Sequence, residues 1–197
     1  MKQTLKSEIL EKRNSLSKEE IKIKSNKIKE NFCSLPEFKE AKNIMFYVSF
    51  NNEADTIETI KELLKNKKKN EKNIIVPYVE KNNPILQLSE LKNFSDLEPK
   101  TFGILEPKKD KIKKFDANKL DLVIVPGIVF DKQGHRIGYG YGYYDKFLRK
   151  LKKGVKKIGF AYEFQLIGKI PQERHDVPLD IVITDKRVIR CYSKGNK

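Results

Sequence analysis

Residues 138–145 read Gly-Tyr-Gly-Tyr-Gly-Tyr-Tyr-Asp, with three glycines at alternate positions. Glycines so placed let backbone amides approach an anion closely, and a helix starting near Tyr143 would add its positive end. That combination suits a phosphate. Arg136, just upstream, is spaced to clamp one, Asp145 in the first helical turn could hold magnesium, and Tyr139, Tyr141, Tyr143 and Tyr144 offer faces for stacking. On these residues alone a second reading stays open: a glycine-rich turn that reverses the chain, with its tyrosines in core or rim packing. The segment is not a Walker motif, because no Gly-Lys-Ser/Thr follows. Its second spacing also departs from the dinucleotide fingerprint.

A site of this kind needs strands and helices to aim it. A continuous apolar run at residues 120–125, closed by Pro126-Gly127, predicts a buried strand feeding the segment, and residues 143–152 predict the helix that follows. Further strands are expected at 43–50, at 73–76 ending on Pro77, at 85–91, 157–161, 181–184 and 188–191. Between them, Leu5, Ile9 and Leu10 mark a first helix, with Lys2, Lys6 and Arg13 able to share a neighbouring face. Ser17 and Glu20 form a capping box for a second helix, which carries Ile21, Ile28 and Phe32 and stops at Pro36. Asp55 caps a third helix, with Glu58 three residues on and Ile57, Ile60, Leu63 and Leu64 as its stripe. Residues 93–119 read as loop-rich. Strands alternating with helices predict an α/β layer fold with a largely parallel sheet, whose ligands gather beyond the carboxyl ends of the strands.

The chain has 197 residues, two cysteines and a formal charge of +15. That length suits one domain, residues 1–197, rather than two. No run approaches the ~18 apolar residues of a membrane span, and the N-terminal residues lack a secretory apolar core, so a cytoplasmic protein without membrane partners is expected. Cys33 and Cys191 lie far apart without metal-ligand spacing, which fits a reducing compartment. The lysines are spread out, with runs at 65–72 and 108–114 that read as solvated loops or helix ends and carry no interleaved aromatics, so nucleic acid is not the expected partner. An anionic small molecule fits that background. No heptad or self-complementary apolar stripe is visible, and a monomer is expected.

The block PGIVFDKQGHRIGYGYGYYDKFL, residues 126–148, resembles the signature of the 5-formyltetrahydrofolate cyclo-ligases, also called methenyltetrahydrofolate synthetases. The likeness extends to Lys2 with Leu5, to YVSFNNEADT at 47–56, FGILEP at 102–107, FAYEFQ at 160–165, HDVPLD at 175–180 and ITD at 183–185. An ordered set over nearly the whole chain is more specific than any one piece. The resemblance implies a three-layer α/β/α sandwich and the ATP- and magnesium-dependent conversion of 5-formyltetrahydrofolate, polyglutamylated or not, to 5,10-methenyltetrahydrofolate. Phosphorylating the formyl oxygen would turn a poor leaving group into a good one, a step that asks the protein mainly for positioning and charge neutralisation.

Carried over by position, Lys2, Lys6 and the loop Arg136, Ile137, Gly138, Tyr139, Gly140, Tyr141, Gly142, Tyr143 and Tyr144 match the family's ATP-binding residues. Asp145 and Asp176 match its magnesium-associated aspartates. Glu53 matches the carboxylate that holds the pterin ring, Val48 lines the same pocket, and Tyr139 through Tyr143 border the folate as well. Three positions depart from the pattern. Lys6 and Lys146 stand where arginine is common, which at Lys6 turns a bidentate grip into a point charge. Tyr141 stands where glycine or lysine is frequent. No general base is assigned. His135 and His175 read first as solvated turn histidines and second as phosphate contacts, and Gln165 as either a nucleotide contact or a structural hydrogen bond. Asp145→Ala is expected to weaken use of the magnesium nucleotide while sparing the fold.

Overall fold

Along the predicted strands, apolar side chains alternate between two faces: Ile44 and Phe46 against Met45, Leu122 and Ile124 against Val123 and Val125, Ile181 and Ile183 against Val182. A sheet residue's neighbours point to opposite sides, so such strands demand cover on both faces. The computed structural model, which describes residues 2–80, 83–100, 103–171 and 176–191, supplies it. Helices α1 (Lys2–Asn14), α2 (Lys18–Ser34) and α3 (Pro36–Glu40) precede β1 (Asn43–Met45). There follow α4 (Ile57–Lys65), α5 (Lys67–Asn70), β2 (Asn73–Glu80), β3 (Asn83–Leu91) and a small hairpin, β4 (Leu97–Pro99) with β5 (Leu105–Pro107). Then come β6 (Leu122–Val125), β7 (Val129–Asp131), β8 (Arg136–Ile137), α6 (Tyr143–Leu148), β9 (Lys156–Ala161), β10 (Leu166–Ile167), β11 (Ile181–Thr184) and β12 (Val188–Arg190).

The main sheet runs β12-β11-β9-β6-β1-β2-β3. Its five central strands are parallel, and β12 and β3 are antiparallel edges. On one face Ile28 and Phe32 of α2, Phe38 of α3 and Ile60 of α4 pack on Ile44, Phe46, Leu122, Ile124, Ile158 and Ile183. On the other, Phe147 and Leu148 of α6 join Met45, Ile75, Val123, Val125 and Val182. The expected α/β layers with a largely parallel sheet are therefore present. Each fully buried Ile or Phe contributes about 2 kcal/mol. α1 stands apart, seated by Ile9 on Ile128, Val129 and Ile170.

The elements depart from their expected bounds for identifiable reasons. β1 is shorter than residues 43–50, while β2 does not stop at Pro77 but runs to Glu80. Phe46 N–H donates to the Ile75 carbonyl (2.9 Å), and the next bond of that parallel ladder would need an N–H from residue 77. Proline has none. On its other side Pro77 faces Leu88, whose carbonyl is turned away from β2 to accept from Phe115 N–H, so the β2–β3 pairing loses nothing. Pro77 thus ends the partner strand rather than its own. The Ser17–Glu20 capping box forms as expected. Pro36 does not merely follow α2 but opens α3, where its missing N–H is harmless. Asp55 caps α4 with both carboxylate oxygens, on Ile57 N–H (3.0 Å) and Glu58 N–H (3.3 Å). α6 ends at Leu148, short of residue 152.

Lys72 overturns the solvated reading of its lysine run. It is buried at 7 % exposure, its Nζ donating to the carbonyls of Phe38 (2.7 Å), Lys39 (3.2 Å) and Ala41 (2.7 Å) at the end of α3, with the ammonium 4.6 Å from the centre of the Phe38 ring. A cation there satisfies carbonyls that the helix leaves open. Replacing it with methionine keeps the volume and strands those acceptors, so Lys72→Met should cost about 1–3 kcal/mol in urea unfolding.

Candidate active site

Three neighbouring parallel strands, β1, β6 and β9, deliver their carboxyl ends to one place. β1 lies between β2 on one side and β6 on the other, so the chain leaves this region in opposite directions, the position where open α/β sheets form a crevice. The loop after β1 carries Glu53, the path after β6 carries the glycine segment, and β9 is followed by Tyr162.

The Glu53 loop is closed by its own side chains. Tyr47 hydroxyl donates to the Ala54 carbonyl (2.7 Å), and Thr56 hydroxyl donates to the Tyr47 carbonyl (2.7 Å) while accepting from Ser49 N–H (3.1 Å). Asn51 and Asn52 take left-handed conformations, with φ of 46° and 57°, which asparagine tolerates better than most residues. The Asn52 amide donates to the carbonyls of Arg13 (3.3 Å) and Asn14 (3.4 Å), tying the turn to the end of α1. Glu53 is then fixed from both ends: Tyr162 hydroxyl donates to its carbonyl (3.0 Å), and its Oε2 accepts from Phe50 N–H (3.0 Å).

α1 grips the glycine segment at Tyr139. Lys6 Nζ donates to the Tyr139 carbonyl (2.9 Å), and Arg13 Nη2 donates to the Tyr139 hydroxyl (2.6 Å), which lies 3.4 Å from Glu53 Oε1. Burial lifts the Glu53 carboxyl from its ordinary 4.5 to about 7, against the opposing pull of the Arg13 guanidinium and the two hydrogen bonds it accepts. The Tyr139 phenol is also pushed up, first by burial and then by the Glu53 carboxylate.

Asp145 and Arg136 pair with each other. Arg136 Nη1 stands 3.1 Å from Asp145 Oδ1, and the arginine side chain is only 4 % exposed. Val177 spans the pair, its N–H donating to Asp145 Oδ1 (3.4 Å) and its carbonyl accepting from Arg136 Nη1 (3.4 Å). Asp176, the residue before Val177, therefore comes to the same end of α6 as Asp145. No group of three or more histidine, cysteine or acidic side chains forms a metal cage among the described residues. A pair of aspartates is the donor set for a magnesium ion that takes its remaining ligands from phosphate and water, and the residues fit that kind of site.

The glycines separate into two kinds. A Cβ on Gly134, at φ 89°, would sit 2.3 Å from the Leu179 carbonyl oxygen, and one on Gly127 would meet the Phe130 ring at 2.5 Å. Packing demands glycine there. Around Gly138 and Gly140 a Cβ would meet nothing within 4 Å among the described residues, although Gly140 needs its freedom for a φ of 105°. At Gly138 no neighbour and no positive φ requires glycine, so a small side chain there would leave the fold unchanged.

Among the remaining expected residues, Lys2 opens α1 and is half-buried, and Ile137 packs on the α1 cluster. Val48 is buried in the main core. Tyr141 is exposed beside Tyr143, ring centres 6.1 Å apart, and Tyr144 is packed between both layers. His175 lies outside the described residues. His135 is not solvated: it is buried, with Nδ1 2.9 Å from Asp131 Oδ2, inside a hairpin whose Asp131 also accepts from the N–H groups of Gln133, His135 and Ile170. Gln165 is structural, donating to the Gly127 and Ile128 carbonyls and accepting from Tyr162 N–H. Arg13 and Tyr162 were not expected at the site. Tyr162 had no signal of its own, whereas Arg13 lies four residues after Ile9, and an arginine in an apolar stripe marks a buried charge.

Fold and site together define an α/β protein whose crevice brings a glycine-rich segment beside the half-buried carboxylate of Glu53. Residues 1–185 match the model of the 5-formyltetrahydrofolate cyclo-ligase family. The chain is 31% identical to the 5-formyltetrahydrofolate cyclo-ligase of Haemophilus influenzae, over 92% of this chain and 97% of that one. It is also 31% identical to the mitochondrial 5-formyltetrahydrofolate cyclo-ligase of Arabidopsis thaliana, over 82% of this chain, and spans 66% of that longer relative. The NMR structure of Aquifex aeolicus 5,10-methenyltetrahydrofolate synthetase superposes with a TM-score of 0.83 at 34% identity, covering 100% of this chain and 95% of that one. The chain belongs to the 5-formyltetrahydrofolate cyclo-ligase family, a family of ligase enzymes.

Proposed function

We propose that the chain closes 5-formyltetrahydrofolate to 5,10-methenyltetrahydrofolate at the expense of ATP, releasing ADP and phosphate. The observation that carries this reading is the open approach to Gly138 and Gly140, joined to the Glu53 carboxylate through Tyr139. One end offers backbone amides to phosphate, the other an acceptor to the amine-bearing edge of a pterin, within one crevice. The formyl oxygen takes the γ-phosphoryl group and ADP leaves. The neighbouring folate amine then attacks the formyl carbon and gives up its proton to solvent, and phosphate departs with the oxygen. The protein's task is to hold these atoms in line and keep water away.

In this reading Lys2, Lys6 and the segment from Arg136 to Tyr144 face the nucleotide, and Val48, Glu53 and residues 139–143 border the folate. Lys6 reaches the nucleotide side by way of the Tyr139 carbonyl, so it shapes the cradle as well as adding charge. Asp145 and Asp176 would hold magnesium, which when bound neutralises phosphate charge. We read the chain as one domain acting as a cytoplasmic monomer, on folates with or without a polyglutamate tail, which its basic surface would favour.

The test follows methenyltetrahydrofolate absorbance with ATP and magnesium each supplied or withheld, for the wild type and for Gly138→Ala. Product should form only with every component present. The alanine variant should melt at the wild-type temperature yet need a higher ATP concentration. A folded protein that binds ATP and makes no product would remove the folate assignment.

A further inference from the structure

Arg13 is among the least exposed side chains of the protein, at 1 % exposure, yet its Nε and Nη1 have no hydrogen-bond partner among the described residues. Its remaining nitrogen, Nη2, donates to Tyr139 hydroxyl at 2.6 Å, and its Cζ lies 5.8 Å from the centre of that ring. A buried cation left this way costs several kcal/mol unless a charge answers it. An apolar side chain would fill the stripe begun by Ile9 more cheaply. The answering charge is one step away: Tyr139 accepts from Arg13 and points its own proton at Glu53 Oε1, while Glu53 Oε2 takes the Phe50 N–H. The donors run in one direction, from guanidinium through phenol to carboxylate, an order that suits a carboxylate with no proton of its own.

We propose that Arg13 is a positioning residue which, through the Tyr139 hydroxyl, aims Glu53 as an acceptor and favours its ionised form against the burial that opposes it. The proposal rests on the reading of Glu53 as the carboxylate that takes the pterin. The groups that face Glu53 from the surrounding elements set the balance. Tyr47 from its own loop, Tyr144 from α6 and Tyr162 after β9 are phenols whose pKa values are all raised, chiefly by burial, so they stay neutral. Asp55 is the nearby acid, Arg136 acts on Tyr144 and is paired with Asp145, and Lys6 is engaged with the Tyr139 carbonyl. Arg13 is the cation that acts on Glu53 directly, opposing the burial that would keep the carboxyl protonated.

The experiment is a carbon-13 carboxyl titration of the ligand-free protein, with the Glu53 signal assigned by its loss in Glu53→Gln. Arg13→Met should raise the Glu53 midpoint by about one pH unit or more. Tyr139→Phe should raise it less, and Arg13→Lys should bring it back toward the wild type. An unmoved midpoint in folded Arg13→Met overturns the proposal. If that variant does not fold, Tyr139→Phe, altered at a ring that is 42 % exposed, decides the matter in the same way. A second arm measures 5-formyltetrahydrofolate KM against pH. A one-unit rise would cut ionised Glu53 at pH 7 from about one half to about a tenth, so KM for the folate should rise about fivefold, with KM for ATP unchanged, and recover at higher pH. A merely structural arginine would give no such recovery. Moved midpoints with no folate binding by the wild type at any pH would uphold the Arg13–Glu53 linkage and sink the pterin reading, so the two failures are distinct.

Discussion

Glu53→Gln should make the protein more stable at pH 8 and about equally stable at pH 4.5. The folded carboxyl holds its proton up to about 7, whereas its ordinary value is 4.5, because burial outweighs Arg13 and the two hydrogen bonds. Below 4.5 both folded and unfolded chains carry the proton and Glu53 costs nothing. Between 4.5 and 7 the unfolded chain releases it first, so stability falls as pH rises, and above 7 the whole penalty is in place. A difference of that size corresponds to roughly 3 kcal/mol, an upper bound because the side chain is partly exposed. Glutamine mimics the protonated form and escapes the penalty. Urea unfolding at the two pH values checks this, and an equal effect at both would mean that Glu53 titrates as an ordinary surface acid. The same substitution should weaken 5-formyltetrahydrofolate binding at least about tenfold, since one acceptor becomes a donor. Stability gained together with binding lost is the mark of a group kept for its ligand.

Asp145→Ala should lower stability by about 3–5 kcal/mol, contrary to the expectation drawn from the sequence that the fold would be spared. The Arg136 guanidinium is almost wholly buried, with Asp145 as its ion-pair partner at 3.1 Å. Without the carboxylate it keeps a 3.4 Å hydrogen bond to the Val177 carbonyl as a buried, unanswered charge. The double variant Arg136→Met with Asp145→Ala should recover much of the loss, because removing both charges removes the desolvation cost too. A single variant within about 0.5 kcal/mol of the wild type would show that the pair is not structural. Lost activity in Asp145→Ala therefore does not by itself identify a magnesium ligand. The sounder readout is whether ATP raises the melting temperature further when magnesium is added, in a variant that is still folded.

The layers were legible because an unbroken apolar run is a local signal: Leu122 to Val125 and Ile181 to Thr184 declare two-sided burial without reference to anything distant. The glycine segment was legible for the same reason. What stayed hidden depends on partners far along the chain. Nothing around residues 46–50 says that Pro77 will withhold the bond they need, and nothing near Lys72 announces three open carbonyls at the end of α3. His135 looked solvated because its neighbours are polar, yet the aspartate four residues before it draws the ring inward. Glu53 could be placed only by resemblance, since a glutamate beside two asparagines looks like any turn. Arg13 reads locally as part of a basic helix edge, whereas the partner that meets it, Tyr139, is 126 residues away.

That separation bears on how the protein comes to life. The bond from Tyr139 to Glu53 joins residues 86 apart, and that from Tyr162 to Glu53 joins residues 109 apart. During synthesis the Glu53 loop leaves the ribosome long before either tyrosine exists, so no shorter nascent chain can hold a half-competent crevice. Ligand capture should switch on only after β9 has emerged and docked beside β6, which makes binding a readout of completed assembly.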